Sequence, residues 1–156
     1  FDESQSREFL LTGFREIDIE PKEDVIEYAV SKLNGTVGWL TLFGVKCREE
    51  KEATKDLVDA VVSDGGKLAR SEANKVARYS RRYSIILNHL ATTGKASWTQ
   101  IKRILEIKEE KTLTNAAVSD LLNKLVKASL IEKNDAYSIS DPLLGEGLIN
   151  NPLPEK

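Results

Sequence analysis

The chain has 156 residues, with 23 Lys and Arg against 25 Asp and Glu and a net charge of −2, and 40% of its residues are hydrophobic. That is enough for one domain or two small ones with a proper core, and it excludes a disordered chain. No apolar run approaches the roughly 18 residues of a membrane span, and the sequence reads as having no secretory leader. A single Cys excludes an internal disulfide, and one Cys with one His argues against a zinc site, so the reducing cytoplasm is the expected compartment. The chain has no Met and begins at Phe1, which reads as a piece of something longer.

Residues 4–16 read as a helix with Phe9, Leu10, Leu11 and Phe14 on its apolar stripe. Pro21 is expected to open a second helix at its first position, with Val25, Ile26, Ala29, Val30 and Leu33 at helical spacing. Asn34-Gly35 is the expected left-handed end. Val37 to Val45 is apolar enough to be read as wholly buried. A fourth helix is expected from about Lys51 to Val62, with Ala53, Leu57, Ala60 and Val61 inward. Gly65-Gly66 is expected to break the chain, and residues 67–78 to form a separate connecting helix. Net charge changes from −4 over residues 1–78 to +2 over residues 79–156.

In the second half, Tyr79, Tyr83, Ile86, Leu87 and Leu90 share one helical face. Ser97-Trp98-Thr99-Gln100 is a capping box that opens a short helix with Trp98, Ile101, Ile104 and Leu105 inward. Thr114 is expected to cap a third helix carrying Val118, Leu121, Leu122, Leu125 and Val126. Residues 130–133 and 137–140 read as a hairpin around Asn134-Asp135-Ala136, stopped by Asp141-Pro142. Three helices and a hairpin in this order give a winged helix-turn-helix over residues 79–142. The tail, 143–156, is expected to add a short helix before Pro152 and Pro154 end the order.

No self-contained catalytic site is expected. Gly66-Lys67 and Gly94-Lys95 lack the upstream Gly and the following Ser or Thr of a P-loop. There is no GxGxxG and no GxSxG. His89, the one imidazole, reads as a surface residue. Cys47 reads as a small structural residue although Lys46 and Arg48 flank it. Glu49, Glu50 and Glu52 read as a solvated face.

Four stretches resemble the C-terminal part of the archaeal ATPase family, a branch of the P-loop AAA+/STAND class. They are residues 7–14, residues 33–40, the pair 83–87 and 97–102, and residues 137–142. In that family a small helical lid and a winged helix follow a P-loop domain. The resemblance implies a mostly α chain, with a helical lid at 1–66, a connecting helix at 67–78 and a winged helix at 79–142. It also implies that ATP and Mg²⁺ are bound through an N-terminal P-loop domain and not by this chain alone. Thr36, Val37 and Gly38 are then the lid residues nearest the nucleotide. Val37 stands where the family usually has Pro, which keeps apolar bulk but loses the fixed φ.

Two kinds of partner stay open for the winged helix, a protein client and DNA. For DNA, the third helix offers Asn115, Ser119, Asn123 and Lys124 to base edges and phosphates. Arg81, Arg82, Lys102 and Lys133 add charge around it, and Asp120 opposes it. With a chain of net charge −2, the expectation is weak binding without sequence preference. The alternative reading is a free-standing winged-helix transcription regulator.

Overall fold

The structure is a computed structural model describing residues 1–156, with eight helices and one two-stranded antiparallel hairpin. It divides into two compact units, Phe1–Gly65 and Gly66–Lys156. No helix is long and apolar enough to cross a membrane.

The first unit holds α1 (Glu3–Glu16), α2 (Glu23–Leu33), α3 (Val37–Glu50) and the start of α4 (Lys55–Ala77). Asp2 opens α1 through a capping box, its carboxylate accepting from the Gln5 N–H at 2.7 Å. Lys22 is the residue before α2, so Pro21 lies one position ahead of the cap and not inside the helix. Asn34 and Gly35 close α2 with φ of 45° and 76°, the left-handed end expected. Glycine is required at 35 because a Cβ there would strike the Phe1 carbonyl oxygen.

Leu10, Phe14, Ile26, Ala29, Leu33, Leu40, Phe43, Val58 and Val61 form the core of this unit. Phe14 meets Phe43 edge to face, with centroids 5.8 Å apart. The apolar run at 37–45 is not wholly buried. Only Leu40 and Phe43 from it, with Cys47 a turn further on, are fully buried; Trp39 and Leu42 pack against the core half-buried, and Val37 is 42% exposed. A small bundle has room for one stripe of each helix, so apolar residues beyond that stripe stay wet.

Cys47 is fully buried and unbridged. Burial pushes its thiol up to about 12, despite its basic neighbours. The unfolded thiol ionises near the ordinary value of 9.0. From there upward the unfolded chain loses a proton that the native chain keeps, so stability falls as pH rises. The slope is up to about 1.4 kcal/mol per pH unit. Urea denaturation across this alkaline range should show that slope in the wild type and lose it in Cys47→Ala. Parallel profiles for the two proteins would contradict the burial.

The expected break at Gly65-Gly66 does not occur, since α4 runs unbroken from Lys55 to Ala77. Residues 67–78 therefore form no separate helix. Glycine inside a helix costs about 1 kcal/mol relative to Ala, and the use of Gly66 lies elsewhere in the second unit. There it meets Gly147, where a Cβ would stand 2.5 Å from the Gly66 carbonyl oxygen. The two glycines let backbones approach where any side chain would hold them apart.

The second unit adds α5 (Arg81–Thr93), α6 (Trp98–Glu109), α7 (Asn115–Lys127), β1 (Ile131–Lys133), β2 (Tyr137–Ile139) and α8 (Pro142–Asn150). Ser80 caps α5, so Tyr79 precedes that helix and is 87% exposed instead of packing with Tyr83. Ser97 and Gln100 form the expected capping box, and Thr114 caps α7 by accepting from the Ala117 N–H at 3.1 Å. In the hairpin, Ile131 pairs with Ile139 and Lys133 with Tyr137. Ala96 bridges Tyr137 as a third short edge. Ile86, Leu87, Ile101, Leu105, Val118, Leu122, Leu125 and Ile131 are among the residues buried in the core between these elements.

The tail remains ordered past both prolines. Leu143, Leu144 and Leu148 of α8 are buried, as is Leu153 between Pro152 and Pro154. Asn88 of α5 donates to the Leu153 carbonyl at 2.9 Å and accepts from the Leu153 N–H at 2.9 Å. Arg70 donates to the carbonyls of Asn151 and Pro152. Proline ended the helix but not the chain's attachment, because backbone groups of the tail found side-chain partners. Residues 1–65 carry 8 basic and 15 acidic side chains, net −7, and residues 66–156 carry 15 and 10, net +5.

Candidate functional site

The third helix of the winged fold, α7, buries Val118, Leu122 and Leu125. That orientation turns Ala116, Asp120, Asn123 and Lys127 outward, with Asn115 and Lys124 exposed at the edges of the same arc. Lys127 belongs to this surface and was missed from the sequence. The 3.6-residue period that placed Asn123 would have found it. The exposed side of α7 carries one anion, Asp120, and two cations, Lys124 and Lys127, a net of +1.

Two of the expected base-reading side chains are already engaged within the unit. Asn115 accepts from the Lys102 ammonium at 3.0 Å. Ser119, half-buried, accepts from the Trp98 indole N–H at 3.2 Å. Its own hydroxyl proton stays available for donation. Trp98 is consequently half-buried instead of lost in the core, with the Lys102 ammonium 6.0 Å from its ring. The structure thus brings Trp98, Lys102, Asn115 and Ser119 into one cluster where α6 meets α7.

Arg81 and Arg82 lie apart from it. Arg82 grips Glu109 with two hydrogen bonds of 2.6 and 3.1 Å, and Glu109 is 11% exposed. Arg81 donates to the Lys108 carbonyl at 3.4 Å. Both contacts are at the C-terminal end of α6, about 10 Å along its axis from Lys102 at 1.5 Å per residue. Arg82 therefore serves the fold before it could serve a phosphate. Lys133, on the wing, is exposed with its ammonium 5.6 Å from the Tyr137 ring.

In the first unit, Thr36, Val37 and Gly38 form the N-terminal turn of α3. Thr36 makes no side-chain cap. The Trp39 and Leu40 N–H groups both donate to the Thr36 carbonyl at 3.1 Å. A Cβ at Gly38 would meet nothing, so this turn is open. It offers backbone N–H groups and one exposed apolar side chain, which fits an edge contact and lacks the nested amides of a phosphate cradle.

Comparison with known proteins sets these elements in context. Residues 76–139 match the family described as the MCM protein C-terminal winged helix-turn-helix domain. Among solved structures, the chain is similar to a Walker-type ATPase of Pyrococcus abyssi, with 31% identity and a TM-score of 0.81. That match covers 96% of this chain and 42% of the ATPase chain, so the sequence spans less than half of its relative. No curated protein matches the chain.

Proposed function

We propose that this chain is the C-terminal part of an archaeal-type P-loop ATPase of the AAA+/STAND class, a helical lid and a winged helix that couple nucleotide state to a protein or DNA partner. One observation carries the reading: the likeness to the Walker-type ATPase runs through both units, over 96% of the chain. The chain has no P-loop, so Mg²⁺ and the phosphates would be held by a P-loop domain, which supplies the phosphoryl-transfer chemistry. Thr36, Val37 and Gly38 would meet the bound nucleotide at the open turn of α3. Residues 1–156 alone should release phosphate from ATP no faster than buffer. A steady-state rate abolished by a substitution within the chain would overturn this reading.

For DNA, the accessible cations on the α7 side reduce to Lys124, Lys127 and Lys133, because Arg82 is paired, Arg81 lies beside it and the Lys102 ammonium is held by Asn115. With about 3 phosphate contacts, the slope of log K against log salt should be near −2.7, at an affinity of ~10⁻⁴–10⁻⁶ M. Titration of labelled duplex at several salt concentrations checks this. Tight, salt-resistant binding to one sequence, lost on Asn123→Ala, would instead favour a free-standing regulator. No binding even at low salt would assign the winged helix to a protein client.

A further inference from the structure

α6 has a second surface that the winged-helix reading does not use. Gln100, Arg103, Ile104 and Ile107 are spaced i, i+3, i+4 and i+7, so they form one stripe along it. The stripe turns away from Trp98 and Lys102, which meet α7. With His89 of α5 and Lys95 just past that helix's end, it lines an open groove of about 300 Å³.

Three features of the groove point the same way. Its lining contains no Asp or Glu. Lys95 and Arg103 are exposed, and neither forms an ion pair. Its far end is Ile107, 63% exposed, one of few large apolar side chains left in water. Unpaired cations beside an exposed isoleucine complement a ligand that is both anionic and apolar. A phosphate backbone would satisfy the cations and leave Ile107 wet, whereas a peptide supplies carboxylates and aliphatic side chains together. From Gln100 to Ile107 the stripe is about 10 Å long, the reach of two helical turns or of three extended residues.

We propose that this groove docks a short acidic segment of a partner protein. Carboxylates of the segment pair with Lys95 and Arg103, and an aliphatic side chain covers Ile104 and Ile107. The site is separate from the α7 face, so occupying one leaves the other open. This inference stands independently of the ATPase reading.

The test is a titration of the isotope-labelled chain with a fluorescent peptide of repeated Glu-Glu-Leu-Ile blocks. Poly-glutamate and oligothymidine serve as comparison probes. Saturable shifts confined to residues 89–95 and 100–107 are expected, weakened by added salt. Arg103→Glu and Ile107→Ser should each reduce affinity about tenfold, because one removes charge and the other apolar contact. Both side chains are exposed, so the melting temperature of either variant should match the wild type. Poly-glutamate should bind more weakly than the mixed peptide.

The proposal fails if the mixed peptide leaves the groove unshifted at saturating concentration. It also fails if oligothymidine shifts the same residues more strongly, which would make the groove a nucleic-acid surface. Concentration-dependent self-association abolished by Arg103→Glu would overturn it as well, by identifying a second copy as the occupant.

Discussion

Gly147→Ala should destabilise the second unit by about 2 kcal/mol, although an alanine normally strengthens a helix. The new Cβ would stand 2.5 Å from the Gly66 carbonyl oxygen and 2.9 Å from its carbon, too close for any native contact. The obstacle is backbone inside α4, which cannot rotate aside as a side chain would. α8 must back away, and it carries Leu143, Leu144 and Leu148 in the core. Overpacking of this kind costs about 1–3 kcal/mol, and more against rigid neighbours. The intrinsic gain of about 1 kcal/mol for replacing a helical glycine offsets only part of it. Gly145 supplies the control, since a Cβ there meets nothing within 4 Å. Gly145→Ala should stabilise the unit by up to about 1 kcal/mol. Urea denaturation of the two variants, followed through the amides of α5 and α8, should show opposite signs. A neutral Gly147→Ala would mean that α4 and α8 do not cross this closely.

Asn88→Leu should cost about 2–3 kcal/mol. The side chain keeps its size but loses three hydrogen bonds, two to the Leu153 backbone and one to Glu155. Holding Leu153 in place with its N–H and carbonyl unpaired would cost about 1–3 kcal/mol for each group. The tail has an alternative, which caps the loss. It can detach, hydrate those groups and surrender the burial of Leu153, worth about 1.5–3 kcal/mol. Detachment is visible directly: residues 151–156 should become protease-sensitive while α8 stays folded. Asn88→Asp should behave similarly, because a carboxylate cannot donate to the Leu153 carbonyl and repels Glu155. An intact, protected tail in either variant would show that Asn88 does not hold it.

What the sequence disclosed, and what it concealed, divides by distance along the chain. The Ser97-Gln100 box, the Thr114 cap, the Asn34-Gly35 stop and the hairpin pattern are local, involving residues within a few positions of each other, and all appear as read. Gly66 looked like a breaker because its reason for being glycine, Gly147, lies 81 residues away. Pro152 and Pro154 looked like the end of order because Asn88 is 65 residues upstream. Candidate binding residues followed the same rule. Helical period found Asn123 and Lys124 on the surface. It could not reveal that Glu109, 27 positions on, occupies Arg82, or that Trp98 and Lys102 hold Ser119 and Asn115. The groove along α6 was hidden because its two halves, the end of α5 and the outer stripe of α6, are ordinary amphipathic surface until packed side by side.

The two indoles fall one to each unit, Trp39 in α3 and Trp98 in α6. Both are half-buried, so each should redden its emission when its own unit opens. Trp39→Phe and Trp98→Phe then give two single-colour reporters without any label. Coincident fluorescence transitions in urea would mean that the units melt as one cooperative body. Separated transitions would give each unit its own midpoint: the Gly147, Gly145 and Asn88 differences would then belong to the Trp98 curve and the Cys47 slope to the Trp39 curve.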